Sequence, residues 1–348
     1  MLHPDEPFRT RAVRRARGIG VQLALFAVLT AGAPGWLLLG ALVDTSRWLR
    51  SRKPWMAVRL LAFLWWGLFC ELRGLVGLTL VRLATIGRRP QIDRRVYRLR
   101  RQWLGGHLRG MRRIFRLRFD IDGLDLVTGG PVVVLMRHAS TVDTLLPETF
   151  ISIEHDTWPR YVLKRELLNL PTIDIGRRWV PTVFVRRGLG TVDGELRLLR
   201  TLACGLAADE PLIIYPEGTL FSADKLARTQ QVVAQRQPAL APLAARLRHV
   251  LPPKVAGPAA LLQALPAADV LVFGHHGLDN FEYPRDMWRG DLVGSTVRIK
   301  LWRHPAAAVP RDEAALGRWL YEQWLVLDDW IDGFVRPGDA LPTHPAPG

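Results

Sequence analysis

Between Ile19 and Val43 the chain carries no formal charge. As a helix rising ~1.5 Å per residue, such a run matches the hydrocarbon thickness of a bilayer, so it needs lipid or a large protein core around it. The preceding stretch, Met1 to Arg17, is polar and rich in arginine (Arg9, Arg11, Arg14, Arg15, Arg17). The run is too long for a cleavable leader and a second apolar run follows, which predicts an uncleaved anchor. That second run, Met56 to Leu83, holds Trp65 and Trp66 but also Arg59, Glu71, Arg73 and Arg82. Charge at the bilayer centre is costly, which argues against a full span there. The flanks before, between and after the two runs are all basic, and the positive-inside rule sends all of them to the cytoplasm. Two layouts remain open: a two-helix hairpin dipping into one leaflet, bent at Pro34-Gly35, or two true spans.

Lys and Arg number 48 against 32 Asp and Glu, a formal charge of +16, and arginine dominates. Such a surplus suits a polyanion, either nucleic acid or an anionic membrane. No zinc-finger or aromatic RNA-binding pattern accompanies it, so the expected partner is the membrane and no nucleic acid. The Arg-loaded segment Arg94 to Arg118, with Trp103, Leu104, Leu108, Ile114 and Phe115 among the cations, reads either as a solvated charged face or as a basic amphipathic helix on anionic headgroups; next to an anchor, the second is expected. The two cysteines, Cys70 and Cys204, fit no disulfide framework or metal spacing, and Cys204 is expected to be a buried small hydrophobe.

From Phe119 the pattern becomes that of an α/β domain: a mixed, partly parallel sheet flanked by helices, preceded by the N-terminal two-helix membrane hairpin. The expected strands are Arg118–Ile121, Val132–Met136, Tyr161–Leu163, Thr182–Val185, Leu212–Tyr215, Val270–Phe273 and Thr296–Trp302, with helical patterns at Asp193–Ala207 and Ala259–Leu265. The domain plan is an anchoring hairpin over 1–90, a basic amphipathic connector over 91–118, the α/β domain over 119–336 and a Pro- and Gly-containing disordered tail over 337–348.

Two stretches can carry chemistry. The strand Val132–Met136 runs into His138, and Asp143 follows five residues later in a Ser/Thr-rich turn. With Ser140 or Thr141 capping a new helix, Asp143 can reach back to the imidazole as its orienter, although such a pair also arises by chance. Leu212 to Tyr215 is a short apolar strand stopped by Pro216, with Glu217, Gly218 and Thr219 in a polar turn at its carboxyl end, where open α/β sheets bind ligands. Gly218 would let backbone N–H groups approach an anion and Thr219 would add a hydroxyl; an ordinary turn with Thr219 as helix cap fits equally. His275 and His276 resemble a metal pair, but no third ligand has suitable spacing, and loop polarity is the expectation.

Together these stretches resemble the glycerolipid acyltransferase family, which includes the 1-acylglycerol-3-phosphate acyltransferases. His138-Ala-Ser-Thr-Val-Asp143 is similar to its H-x4-D motif, and Tyr215-Pro-Glu217-Gly218-Thr219 to its F/Y-P-E-G-T/S motif. Lys164-Arg-Glu166-Leu resembles the K-x-E-L stretch, Phe184-Val185-Arg186-Arg187 the F-I-x-R block, and the segment His249 to Gly257, with Pro252-Pro253-Lys254, an LLPPK-x-x-G stretch. The chain departs from the pattern at Pro181, where many members have Gly.

The resemblance implies transfer of a fatty acyl group from acyl-CoA or acyl carrier protein to the free hydroxyl of 1-acylglycerol-3-phosphate, giving phosphatidate. His138 would be the general base and Asp143 its orienter. Arg187 would bind phosphate, with Arg186 on the other strand face; Lys164 would contact phosphate or donor, or pair with an acid. Gly218 and Thr219 would supply donors, and Glu217 would bind glycerol or orient Arg187. Pro252-Pro253 would shape a wall near the acceptor, with Lys254 exposed. No metal or prosthetic group is implied, and the membrane would be a bacterial inner membrane with the catalytic domain on its cytoplasmic side. Another lysophospholipid acceptor, or a non-catalytic membrane lipid-binding protein, are the alternatives.

Overall fold

The computed structural model describes residues 6–86, 94–185, 192–279 and 284–335. In chain order they form α1 (Phe8–Ala31), α2 (Ala33–Ser51), α3 (Ala57–Ala84), α4 (Arg94–Phe115), β1 (Arg118–Asp122), β2 (Val132–Met136), β3 (Arg160–Lys164), α5 (Pro171–Gly176), β4 (Thr182–Val185), α6 (Val192–Ala203), β5 (Leu212–Ile214), α7 (Ala223–Arg236), α8 (Ala256–Ala264), β6 (Asp269–His276), β7 (Thr296–His304) and α9 (Glu313–Asp332), with shorter helical turns between them. The proposed tail at 337–348 and both Arg186 and Arg187 lie outside the described residues. The chain divides into two compact units that alternate along the sequence.

The first unit comprises Met1–Arg118, Leu145–Gly190 and Tyr283–Thr296. The first apolar run is two helices, α1 and α2, bent by 73° at Gly32, two residues before the expected break; Pro34 falls in the opening turn of α2, where its missing N–H is harmless. Among the described helices α3 is long and apolar enough to cross a membrane, and the bent pair passes the same test as one broken span. A buried carboxylate joins α2 to α3: Asp44 accepts from the N–H groups of Met56, Ala57 and Val58 at 2.8, 2.9 and 3.0 Å, satisfying three of the donors that a helix start leaves open.

Polar residues of α3 reach across to α4. The Trp66 indole donates to the Gly106 carbonyl at 2.9 Å, Arg73 to the Gln102 carbonyl at 2.8 Å, and the Arg59 guanidinium to the Ile114 carbonyl. Glu71 accepts from the Trp103 indole at 2.9 Å and from the Thr172 hydroxyl at 2.5 Å. All but Thr172 of these partners lie on α4, whose Val96, Tyr97, Trp103, Leu108, Met111 and Phe115 are buried. This corrects the expected role of the basic segment: it is an amphipathic helix, but its apolar face is spent on protein, because α3 offers an apolar partner and glycines let the two helices close. A Cβ on Gly110 would stand 2.0 Å from Trp66 Nε1. β3 and β4 pair in parallel in this unit, from Tyr161 opposite Thr182 to Lys164 opposite Val185. Pro181 immediately precedes β4 and accepts from the Tyr161 N–H at 3.4 Å through its carbonyl, a strand-start position that needs no donor.

The second unit comprises Phe119–Thr144, Thr191–Glu282 and Val297–Gly348. Its strands neighbour one another in the order β1-β7-β6-β2-β5. β2 runs parallel to both β5 and β6, and β6 is antiparallel to β7. Every residue of β2 is buried, as expected of an apolar strand covered on both faces. Helix α9, absent from the sequence-derived elements, buries Leu316, Leu320, Tyr321, Trp324, Leu327 and Ile331, and starts at Asp312, which accepts from Ala315 N–H at 2.9 Å. Cys204 is exposed, contrary to expectation, because α6 ends at Ala203 and the chain turns at Cys204-Gly205, where Gly205 has a φ of 62°. Cys70 is buried.

Candidate active site

Two parallel strands of the second unit, β2 and β5, end side by side, and the polar residues that follow them meet. His138 lies two residues beyond β2. Its Nδ1 is 3.2 and 3.1 Å from the two carboxylate oxygens of Asp143. Asp143 is fully buried, and its Oδ2 also accepts from the backbone N–H groups of Ala139 at 2.9 Å and Ser140 at 3.0 Å. No Ser140 or Thr141 cap is needed to turn the chain back: the carboxylate itself gathers the backbone donors, and Asp143 opens a single 3-10 turn, Asp143–Leu145.

Burial pushes the Asp143 carboxyl up, but the charge and hydrogen bond of His138, followed by those of His275, outweigh it and hold Asp143 well below the usual carboxylate range. An ionised carboxylate only accepts, so His138 donates to it from Nδ1, and Nε2 is the ring nitrogen left to exchange a proton. The imidazole leans on the Tyr215 ring, with centroids 4.7 Å apart.

Glu217 joins the two motifs through backbone. Its Oε1 accepts from His138 N–H and its Oε2 from Leu251 N–H, both at 2.9 Å. Each oxygen of this buried side chain thus accepts one backbone N–H, so Glu217 ties the two motifs together. Burial raises Glu217 to about 8, against the opposing pull of the Leu251 N–H, Arg137 and the His138 N–H. The turn is tied again where Lys254 N–H donates to the Pro216 carbonyl at 3.0 Å.

Gly218 adopts a φ of 68°, in the left-handed region, and its N–H closes the turn onto the Tyr215 carbonyl at 3.0 Å. The expected anion donor at that position is thus already used. Thr219 is half-buried and the cap of α7 is Ser222, three residues on. Pro252 and Pro253 are buried and Lys254 is exposed, its side chain lying over Gly218. Lys164 ends β3 in the first unit.

Two functional candidates were missed. Arg137 is 1% exposed, and its guanidinium donates to the His275 carbonyl at 2.7 Å, the His249 carbonyl at 2.9 Å and Asp279 at 2.6 Å. His275 and His276 are not loop polarity: β6 extends through both, and His275 is fully buried beside Asp143. The signal was strand length. The long apolar alternation of Thr296–Trp302 needs a partner longer than Val270–Phe273, and pairing extends to His275 opposite Ile299 and His276 opposite Arg298.

These motifs lie in a part of the chain that is similar to known proteins. Residues 118–253 match a family model described as Acyltransferase. A curated relative, 1-acyl-sn-glycerol-3-phosphate acyltransferase epsilon of Mus musculus, is 25% identical over 231 residues, covering 62% of this chain and 61% of the relative's own length. Among solved structures, the 1-acyl-sn-glycerophosphate (LPA) acyltransferase PlsC from Thermotoga maritima covers 79% of this chain and 97% of its own, at 15% identity and a TM-score of 0.46. The H-x4-D pair and the Y-P-E-G-T turn that Glu217 binds together both lie inside the span that matches the Acyltransferase model.

Proposed function

We propose that this protein is a membrane-bound acyltransferase that moves a fatty acyl group from acyl-CoA or acyl carrier protein to the free hydroxyl of 1-acylglycerol-3-phosphate, giving phosphatidate. The observation that carries the reading is the buried Asp143 carboxylate, fixed by two backbone N–H groups and presenting its remaining acceptor capacity to His138 Nδ1. An alcohol is a poor nucleophile until its proton is removed. His138 Nε2 takes that proton as the hydroxyl oxygen bonds to the thioester carbonyl carbon, and Asp143 stabilises the imidazolium. The tetrahedral adduct then expels the thiolate, which takes the proton back from Nε2. Ester and thiol are the products, and the balance closes with the two substrates alone.

Arg187, with Lys164, is proposed to hold the acceptor phosphate, since a guanidinium fork suits a phosphate better than any other side chain. The anchor is proposed to be α1, α2 and α3, with the catalytic domain on the cytoplasmic side of a bacterial inner membrane. The apolar side chains exposed along these helices, among them Leu38, Leu42, Leu80 and Leu83, support membrane seating.

The test is a matrix of acyl donors against lysolipid acceptors, with products read by mass spectrometry. Phosphatidate formed from lysophosphatidate and either thioester is the expected result. Turnover of a different lysophospholipid alone would move the acceptor assignment. Retention of lysolipid with no turnover of any thioester would overturn the enzymatic reading.

A further inference from the structure

Asp143 faces two imidazoles. His138 Nδ1 lies 3.1 Å from its Oδ2, and His275 Nε2 lies 3.5 Å from the same oxygen. The second ring also sits 3.2 Å from the backbone carbonyl oxygen of Arg137. A carbonyl only accepts, so His275 Nε2 carries the proton. The other nitrogen, Nδ1, is buried with no hydrogen-bond partner among the described residues, and a proton there would be a stranded donor. The donor edge of the His275 ring is therefore Nε2–H. Its N–H edge is directed to the Arg137 carbonyl, with the Asp143 carboxylate at its flank.

The contact is reciprocated. Arg137 Nη1 donates to the His275 carbonyl at 2.7 Å while the His275 ring reaches the Arg137 carbonyl, so each side chain holds the other's backbone. Arg137 immediately precedes His138, and its own N–H donates to the Phe273 carbonyl at 3.2 Å. Among the described residues, the charged and titratable groups around the His275 ring are Asp143, Arg137, His276 and Asp279. His276 lies against Asp279, with Nδ1 to Oδ2 at 3.5 Å, and the β7 residue opposite His275 is the apolar Ile299.

We infer that His275 is a positioning residue for the dyad: its Nε2–H edge spans the Arg137 carbonyl and Asp143 Oδ2, and so sets where the His138 backbone stands relative to the carboxylate its ring must meet. The inference rests on the reading of His138 as the base. No covalent step passes through His275, and it touches no reacting atom.

The test compares wild type, His275→Phe, His275→Gln and His138→Ala, using a thioester and lysolipid pair that wild type turns over, with kcat–pH profiles and thermal unfolding in detergent. His275→Phe keeps the ring and loses the N–H; kcat should fall about 10- to 100-fold, the range seen when a partner behind an active-site ligand is removed. The acceptor KM should stay within about threefold, since the contact orients the base and binds no substrate. With a donor edge gone, Asp143 turns more of its charge on His138, and the acidic limb of the profile should move about half a unit or more to higher pH. His275→Gln, which restores an N–H, should recover kcat to within about threefold and return the limb to its wild-type position.

A folded His275→Phe with wild-type kcat and an unmoved limb overturns the inference. So does a loss of kcat that leaves the limb in place and is not recovered by Gln, since that pattern is structural. If Phe fails to fold, His275→Gln decides alone, and a loss beyond about tenfold overturns it. Near wild-type turnover in His138→Ala removes the base assignment and the positioning role with it, a result separable from the others because it does not involve position 275.

Discussion

Glu217 spends each carboxylate oxygen on one backbone N–H, those of His138 and Leu251. Substitution by Gln offers one oxygen and one NH2, and the NH2 must then oppose a buried N–H. Glu217→Gln should therefore cost about 1–3 kcal/mol above about pH 8, where the carboxylate is ionised, read by denaturant unfolding. Its pH dependence has a definite sign. Burial raises Glu217 to about 8 from an ordinary 4.5, so within that window the folded chain holds a proton that the unfolded chain has released. Wild-type stability should fall as pH rises through the window, and that component should vanish in Glu217→Gln. Asp143 has the opposite sign: held low by His138 and His275, it stabilises the fold above the ordinary carboxylate range, and that contribution is lost on acidification. Replacing His138 by Ala should cut kcat about 10²- to 10⁴-fold in the proposed transfer reaction.

Among the elements, α3 and α4 make the sharpest predictions. Gly110→Ala drives a methyl into the Trp66 indole and displaces it from the Gly106 carbonyl, so thermal unfolding in detergent should show a loss of about 1–3 kcal/mol. Glu71→Leu should cost a similar amount, because the Trp103 and Thr172 donors lose their acceptor. The strands were legible in the sequence because they are short apolar or alternating runs, and all seven expected strands are present within a few residues of their observed ends. What periodicity could not supply was the partner. The amphipathic face of Arg94–Phe115 was readable, yet only the fold shows that α3 rather than lipid covers it. In the same way, His138 and Asp143 were visible as a pair, whereas His275 stands 132 positions beyond Asp143 and joins it only through the β2–β6 pairing.

For the molecule as a whole, a formal charge of +16 and the exposed apolar faces of α1, α2 and α3 act over different ranges. Charge governs approach to an anionic surface and is screened by salt; apolar burial governs release and is not. The full chain should co-float with anionic vesicles, bind them more slowly as ionic strength rises, and stay bound through a high-salt wash; complete release by salt would refute apolar seating. The Asp44 carboxylate adds a mechanical consequence. By gripping three N–H groups at the start of α3, it ties α2 to α3, while the 73° bend at Gly32 joins α2 to α1. The Trp36 indole folds back across this joint onto the Val28 carbonyl at 3.3 Å and occupies the space a side chain on residue 32 would need. The bend is thus latched twice, since the Trp65 indole of α3 also donates to the Thr30 hydroxyl of α1 at 2.9 Å, and in the proposed anchor a change of angle at Gly32 would have to break both contacts.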